Sequence, residues 1–219
     1  GGIPRFHIDP EPSSYREYIE KHFLSDDADM ADEAVALIGG EFAPLSRYMS
    51  IVNAISDGAT SLKKISEKSG IQRTSCSRCL DELELVGIVG TVHPMMDSPK
   101  HPVYTIADPM VAFCQDIVRI SAMYALRDPS DRYDELSQRI DTFLGLRFER
   151  LCAEYVARNW KCIEIGKWWG VDEDKEIREI DIAAKVSIDG SNWALFGECK
   201  FRTSRMSEGV LGILKENIG

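Results

Sequence analysis

The sequence predicts an α+β chain, helical over most of its length, with a short sheet held between helices near its end. Three observations predict it. Apolar residues recur at helical spacing from Tyr15 to Val86 and again from Val111 to Tyr155. Gly58, Gly70 and Gly87 divide the first of these stretches into short helices that lead into strand-like runs. Asp189-Gly190 separates two runs of alternating polarity, a two-residue hairpin signal. The 219 residues leave room for one large domain or two to three small ones, at roughly 100–200 residues per domain. With 44% hydrophobic and 28% charged residues, the composition is that of a globular protein and excludes disorder over most of the chain.

Residues 1–45 read as a helical segment. Tyr15, Ile19 and Phe23 mark one amphipathic helix, and Val35, Leu37 and Ile38 a second, with the acidic stretch Ser25–Asp29 between them. This segment carries 3 basic and 10 acidic residues. It therefore accounts for most of the formal charge of −10.

Residues 46–107 are the best patterned. Tyr48, Ile51, Val52 and Ile55 make a helical stripe that stops at Asp57-Gly58. Ser61 is placed to cap a short helix carrying Leu62 and Ile65, which ends at Ser69-Gly70. A longer helix from Arg73 sets Cys76, Leu80, Leu83 and Val86 on its inner face and closes at Gly87. Ile88–His93 and Pro102–Ile106 follow as two strands joined by the loop 94–101. Helix, helix, turn, helix and ribbon is the order of a winged helix-turn-helix. Such a module presents the N-terminal half of its third helix to the major groove, here Gln72, Arg73, Thr74, Ser75, Ser77 and Arg78. Lys63, Lys64 and Lys68 on the preceding helix are placed to hold phosphates. DNA is the expected partner. The acidic Asp81, Glu82 and Glu84 shorten the basic patch, and packing against another protein is the competing reading.

Residues 108–219 begin with a helix, Met110–Leu126, whose Val111, Phe113, Cys114, Ile117, Ile120 and Tyr124 predict burial. After a polar link comes a long helix, about 137–159, with Ile140, Leu144, Phe148, Leu151 and Tyr155 as its apolar stripe. Strands are expected at about 161–169, 177–188 and 193–201, with the charge run Asp172–Glu176 as a solvated turn. A last helix, capped by Ser207, reaches Ile218.

The chemistry is expected on this third segment. If Asp189 and Gly190 form the turn, Ile188 pairs with Ser191 and Asp181 falls opposite Glu198. Alternation puts Lys200 and Arg202 on their face, with Ile180, Ile182, Ala184, Leu195, Cys199 and Phe201 on the other. Two opposed carboxylates repel unless a positive group lies between them, and a divalent cation would serve. A four-residue turn would instead set Asp181 against Lys200 as a plain cross-strand salt bridge. On the long helix, Glu154 has Arg150 and Arg158 four residues away on either side, whereas Glu149 has no cation three or four residues away. Glu149 therefore calls for a partner off the helix.

Glu149 on a helix, Asp181 on a strand and Glu198-Cys199-Lys200 on the next strand resemble the core of the PD-(D/E)XK nucleases. More closely, the chain resembles the C-terminal part of archaeal-type AAA ATPases that end in such a core. The words that carry this are Gly-Gly-Ile-Pro-Arg-Phe (1–6), the Tyr48–Leu62 stretch, Leu83–Val89, Tyr104–Phe113, Glu179-Ile180-Asp181-Ile182 and Gly197-Glu198-Cys199-Lys200. Ile180 stands where the motif's name has Pro. The resemblance implies that residues 1–45 are the end of an ATPase lid, and that residues 108–219 are a nuclease-like domain lacking a later strand and helix. It implies Mg²⁺ or Mn²⁺ held by Asp181, Glu198 and the Cys199 carbonyl, with Glu149 beside a bound water or second ion. Lys200 would stabilise charge, and Arg202 or Arg205 would grip a flanking phosphate. No G-x-x-x-x-G-K-[ST] loop is present, so no nucleotide site is expected here, and an upstream ATPase domain is the expected partner.

The competing readings are a DNA-binding or regulatory module that no longer cleaves, and a protein-interaction module of the ATPase. A homo-oligomer is compatible with each. No apolar run reaches the roughly 18 residues of a membrane span. No leader is visible, and the chain does not begin with Met, so a fragment is expected. The six cysteines are too sparse for a disulfide scaffold, which points to reduced thiols in a cytoplasm. Cys76 and Cys79 read as helix packing, Trp168-Trp169 as core and rim, and His93 and His101 as loop residues.

Overall fold

The computed structural model describes residues 14–92, 103–171, 177–202 and 208–218. The chain divides into two units, one of residues 14–92 and 103–141, the other from Thr142 onward. The architecture is α+β, with two small antiparallel sheets. The stretch 1–6, the loop 94–101 with His93 and His101, the run Asp172–Glu176, Arg205 and the Ser207 cap lie outside the described residues.

The first unit opens with α1 (Tyr15–Ile19), capped by the Ser14 hydroxyl accepting from the Glu17 amide at 3.1 Å. The helix widens into a π turn, Glu20–Leu24, where His22, Phe23 and Leu24 are all buried. Ile19 and Phe23 are buried as expected, whereas Tyr15, expected on the same face, is exposed at the first residue of the helix. In α2 (Glu33–Glu41) Ile38 is buried as expected and Leu37 is half-buried, whereas Val35 is exposed and Ala34 is buried beside it.

The next elements follow the expected order. They are α3 (Leu45–Ser56), α4 (Leu62–Ser69), α5 (Arg73–Leu85), β1 (Val89–Val92) and β2 (Val103–Ile106). Ser61 caps α4 through the Lys64 amide. Gly70 ends it at φ +72°, and Gly87 turns the chain out of α5 at φ +77°, both conformations that glycine alone adopts at little cost. Ile51, Val52, Ile65, Cys76, Leu80 and Leu83 are buried together with Val89. Val86 is exposed because α5 stops one residue before it. β1 and β2 pair from Val89–Ile106 to Val92–Val103.

Asp108 caps α6 (Pro109–Phe113) by accepting from the Val111 amide at 2.8 Å, with Pro109 in the first turn. Helical structure continues through a π turn (Cys114–Val118), α7 (Arg119–Ser121) and a 3₁₀ turn (Ala122–Tyr124). Val111, Phe113, Cys114 and Ile117 are buried as expected. The long helix α8 runs from Pro129 to Asn159, starting a full two turns before the expected 137. Its early start is fixed by Arg132, a buried guanidinium. Arg132 donates to the carbonyls of Leu24 (2.6 Å), Ala125 (2.5 Å) and Arg127 (2.8 Å) and to Asp26 (2.8 Å).

In the second unit, β3 (Lys161–Val171), β4 (Ile177–Ile188) and β5 (Ser191–Gly197) form an antiparallel sheet in sequence order. The last element is α9 (Glu208–Ile218). Asp189 (φ +52°) and Gly190 (φ +81°) make the two-residue turn, and pairing runs from Ile188–Ser191 to Ile182–Gly197 in the expected register. Ile182, Ala184 and Val186 pack with Val156 of α8, and Cys152, Ala153, Cys162, Ile165, Leu195 and Cys199 close around them. Leu151 and Tyr155, expected in the apolar stripe of α8, are exposed, as is Phe201. The small Cys152 and Ala153 take the inner positions in the second unit, so the larger apolar residues beside them point outward.

Candidate functional site

The site is built where three elements of the second unit converge: α8, the bulged middle of the β3–β4 pair, and the chain just past β5. Between Gly166–Ala183 and Trp168–Ile180 the register slips, so that Asp181 and Ile182 of β4 together face the single residue Lys167 of β3. A bulge of this kind bends the strand and re-aims the side chains at it. β5 ends at Gly197, one pair before Asp181 and Glu198 would have met across the ladder. Instead the Asp181 carboxylate accepts the backbone amide of Cys199 at 2.7 Å. Glu198 takes the Lys200 ammonium at 2.5 Å. Each carboxylate thus gains its own hydrogen-bond donor, a backbone amide for Asp181 and an ammonium for Glu198, which is how the chain tolerates two acids at adjoining strand positions.

Glu149 reaches off its helix, as its lack of helical partners predicts, and its partner is Lys167, in direct contact. The Lys167 ammonium also lies 3.3 Å from Glu179. Burial alone would lower the Lys167 pKa, but its hydrogen bonds and charge interactions with Glu149 and then Glu179 outweigh this and hold it above its usual value. The Lys200 pKa is raised chiefly by the hydrogen bond to Glu198, with the charges of Glu198, Asp181 and Glu149 adding to it. The charges of Asp181 and Glu149 thus reach Lys200 along with that of Glu198. The Glu198 and Glu149 side chains are recessed, at 13% and 17% exposed, while the Lys200 side chain is 46% exposed. The Cys199 thiol is pushed up to about 12 by burial and then by its neighbour Cys152.

Lys167 and Glu179 were not legible as site residues, because a strand bulge leaves no mark on the alternation of a single strand. The unpaired state of Glu149 was the one available signal that a cation had to come from elsewhere. Arg202 is exposed just beyond β5. Trp168 is half-buried with its ring against Gly170, where an added Cβ would lie 2.7 Å from it. Among the described residues no three His, Cys, Asp or Glu side chains stand close enough to hold a metal ion.

In the first unit, Lys63, Lys64, Gln72, Arg73, Thr74 and Arg78 are exposed, with Ser75 and Ser77 half-buried among them. Lys63 lies 4.0 Å from Glu67, and Lys68 is turned back onto Asp57. Lys64, Arg73 and Arg78 make no ion pair among the described residues. Cys76 and Cys79 are buried helix-packing residues.

Residues 113–210 match the model of the DUF234 family, archaeal and bacterial proteins of unknown function. The chain is also similar to the uncharacterized protein MJECL04 of Methanocaldococcus jannaschii. The two are 25% identical over 210 residues, which is 92% of this chain and 46% of that protein. The chain thus spans about half the length of the curated relative it matches. Among solved structures, RV1404 from Mycobacterium tuberculosis has 14% identity over 53% of this chain and 81% of its own, with a TM-score of 0.30. NadR in complex with 4-hydroxyphenylacetate has 15% identity over 58% of this chain and 84% of its own, with a TM-score of 0.28. Among the described residues no helix is long and apolar enough to cross a membrane.

Proposed function

We propose that the second unit is a PD-(D/E)XK-type core that hydrolyses DNA phosphodiesters with Mg²⁺ or Mn²⁺. On this reading residues 46–107 are a winged helix-turn-helix that holds the duplex, and the chain is the C-terminal region of an ATPase. The observation that carries it is the contact of Glu198 with the exposed Lys200 ammonium, next to Asp181 held on the Cys199 amide.

Asp181 uses one oxygen for the Cys199 amide and Glu198 one for Lys200, which leaves each a second oxygen; with the Cys199 carbonyl these would be the donors, of the hard type a divalent cation takes. Bound there, the ion would polarise a phosphate and lower the pKa of a water. Lys200, kept cationic by its neighbours, stabilises negative charge developing on the phosphate oxygens. Glu149 holds Lys167 in place. Arg202 and Arg205 steady a flanking phosphate, while Lys63, Lys64, Gln72, Arg73, Thr74, Ser75, Ser77 and Arg78 supply backbone and base-edge contacts.

One observation favours a non-cleaving regulatory module instead: both site lysines are already engaged by carboxylates. Incubating the chain with supercoiled, linear and single-stranded DNA in Mg²⁺ or Mn²⁺, beside Asp181→Ala, separates the two. Metal-dependent cutting that disappears in the variant is the expected result. Retardation of DNA on a gel without cutting, in either metal, would replace the nuclease reading with the regulatory one.

A further inference from the structure

We propose that Cys152 and Cys199 are a redox-active thiol pair, which hydrogen peroxide converts to a disulfide that fastens the Glu198–Lys200 segment to α8. The inference stands on the packing of the second unit and is independent of whether the chain cuts DNA.

The whole sheet separates these cysteines in the sequence, and the fold returns one to the other. Cys152 lies one turn before Val156 on α8, on the side that packs against Ile182, Ala184 and Val186 of β4. On β5, Leu195 pairs with Ala184 and Gly197 with Ile182, and Cys199 continues that line beyond the end of the strand. Both cysteines therefore close around the same buried cluster, one from the helix and one from the chain past the sheet. Their side chains interact directly, Cys152 being the hydrogen-bonding neighbour of the Cys199 thiol. Both are free and only half-buried, whereas Cys76, Cys79 and Cys114 are buried. Cys162, the third cysteine at this cluster, turns its thiol to the Val156 carbonyl instead.

The step balances with one peroxide molecule for each pair. One sulfur attacks the peroxide, the O–O bond breaks, and a sulfenic acid and a water form. The second sulfur displaces the sulfenic hydroxyl, which leaves as water with the proton of the second thiol, and the S–S bond closes. The two thiols are oxidised and the peroxide is reduced to two waters. The backbone amide of Cys199 is the one that Asp181 accepts, and Glu198 and Lys200 flank it. A covalent bond at the Cys199 side chain therefore restrains that amide and the two charged residues beside it.

The test is treatment of the full folded chain with hydrogen peroxide, then alkylation of free thiols in denaturant, digestion and mass spectrometry. The expected product is one cross-linked peptide pair carrying Cys152 and Cys199, lighter by two hydrogens and returned to thiols by dithiothreitol. Amide hydrogen exchange in the peptide over 198–202 should slow once the bond has formed. In Cys152→Ser both the cross-link and the slowing should be lost, and Cys199→Ala serves in its place should that variant not fold. Thiols that all stay reduced on the native chain, or a bond from either cysteine to Cys162, would overturn the pairing. Unchanged exchange in the cross-linked chain would overturn the fastening of the segment.

Discussion

Asp57 shows how much a single side chain does at the junction of helices in the first unit. It ends α3, and its carboxylate meets Arg119 at 2.6 Å and Lys68 at 3.6 Å. Ser56 beside it donates to Asp116. Arg119 first, and Lys68 after it, hold the Asp57 carboxyl below its ordinary 3.8. A carboxyl lowered in the folded state stabilises the fold above its unfolded value, and that contribution disappears as pH falls through the lowered value. Asp57→Asn should therefore cost stability at neutral pH and flatten the acid limb of the stability profile below about pH 4. The side chain is over a third exposed, so the loss should stay under about 1 kcal/mol. Thermal unfolding of both chains from pH 2 to 7 measures it, and parallel curves across that range would count against the assignment.

At the scale of elements, the hairpin makes a sharper demand. Both central residues of its turn lie at positive φ, and Gly190 at +81° has no side chain to strain. Gly190→Ala should destabilise the second unit by about 1–2 kcal/mol, whereas Asp189→Asn should be close to neutral, since Asn tolerates the left-handed region. Urea unfolding reads both; an unshifted midpoint in Gly190→Ala would mean that the turn does not set the register. This turn is also why so much of the sheet was legible. A two-residue Asp-Gly loop fixes every pair from Ile188–Ser191 to Ile182–Gly197, and the glycines at 70 and 87 mark helix ends in the same local way. What was not legible depends on partners distant in sequence. The slip opposite Asp181 is a property of two strands together, so Lys167 could not be assigned from either alone. The inner face of α8 is set by how closely the sheet can approach, which selects Cys152 and Ala153 over the more apolar Leu151 and Tyr155.

Over the whole molecule, the net charge of −10 opposes DNA at a distance, so the proposed DNA binding would have to come from local cations. Residues 46–107 hold 7 basic and 6 acidic groups, and among the described residues Arg47, Lys64, Arg73 and Arg78 are exposed there without an ion pair, the last three on α4 and α5. Each phosphate contact contributes about −0.9 to the slope of log affinity against log salt. Three contacts give a slope near −3, or a loss of about 40-fold in affinity between 50 and 200 mM salt. Neutralising Arg73 and Arg78 together, as Arg73→Gln with Arg78→Gln, should reduce the slope by about 2. Both residues lie on the surface of α5, away from its buried Cys76, Leu80 and Leu83, so the fold should survive the change. Fluorescence anisotropy with a labelled duplex at four salt concentrations gives both slopes. A native slope near zero would assign this face to a protein partner. An unchanged slope in the double variant would place the phosphate contacts elsewhere, with Arg202 beside the carboxylate–lysine cluster as the next residue to neutralise.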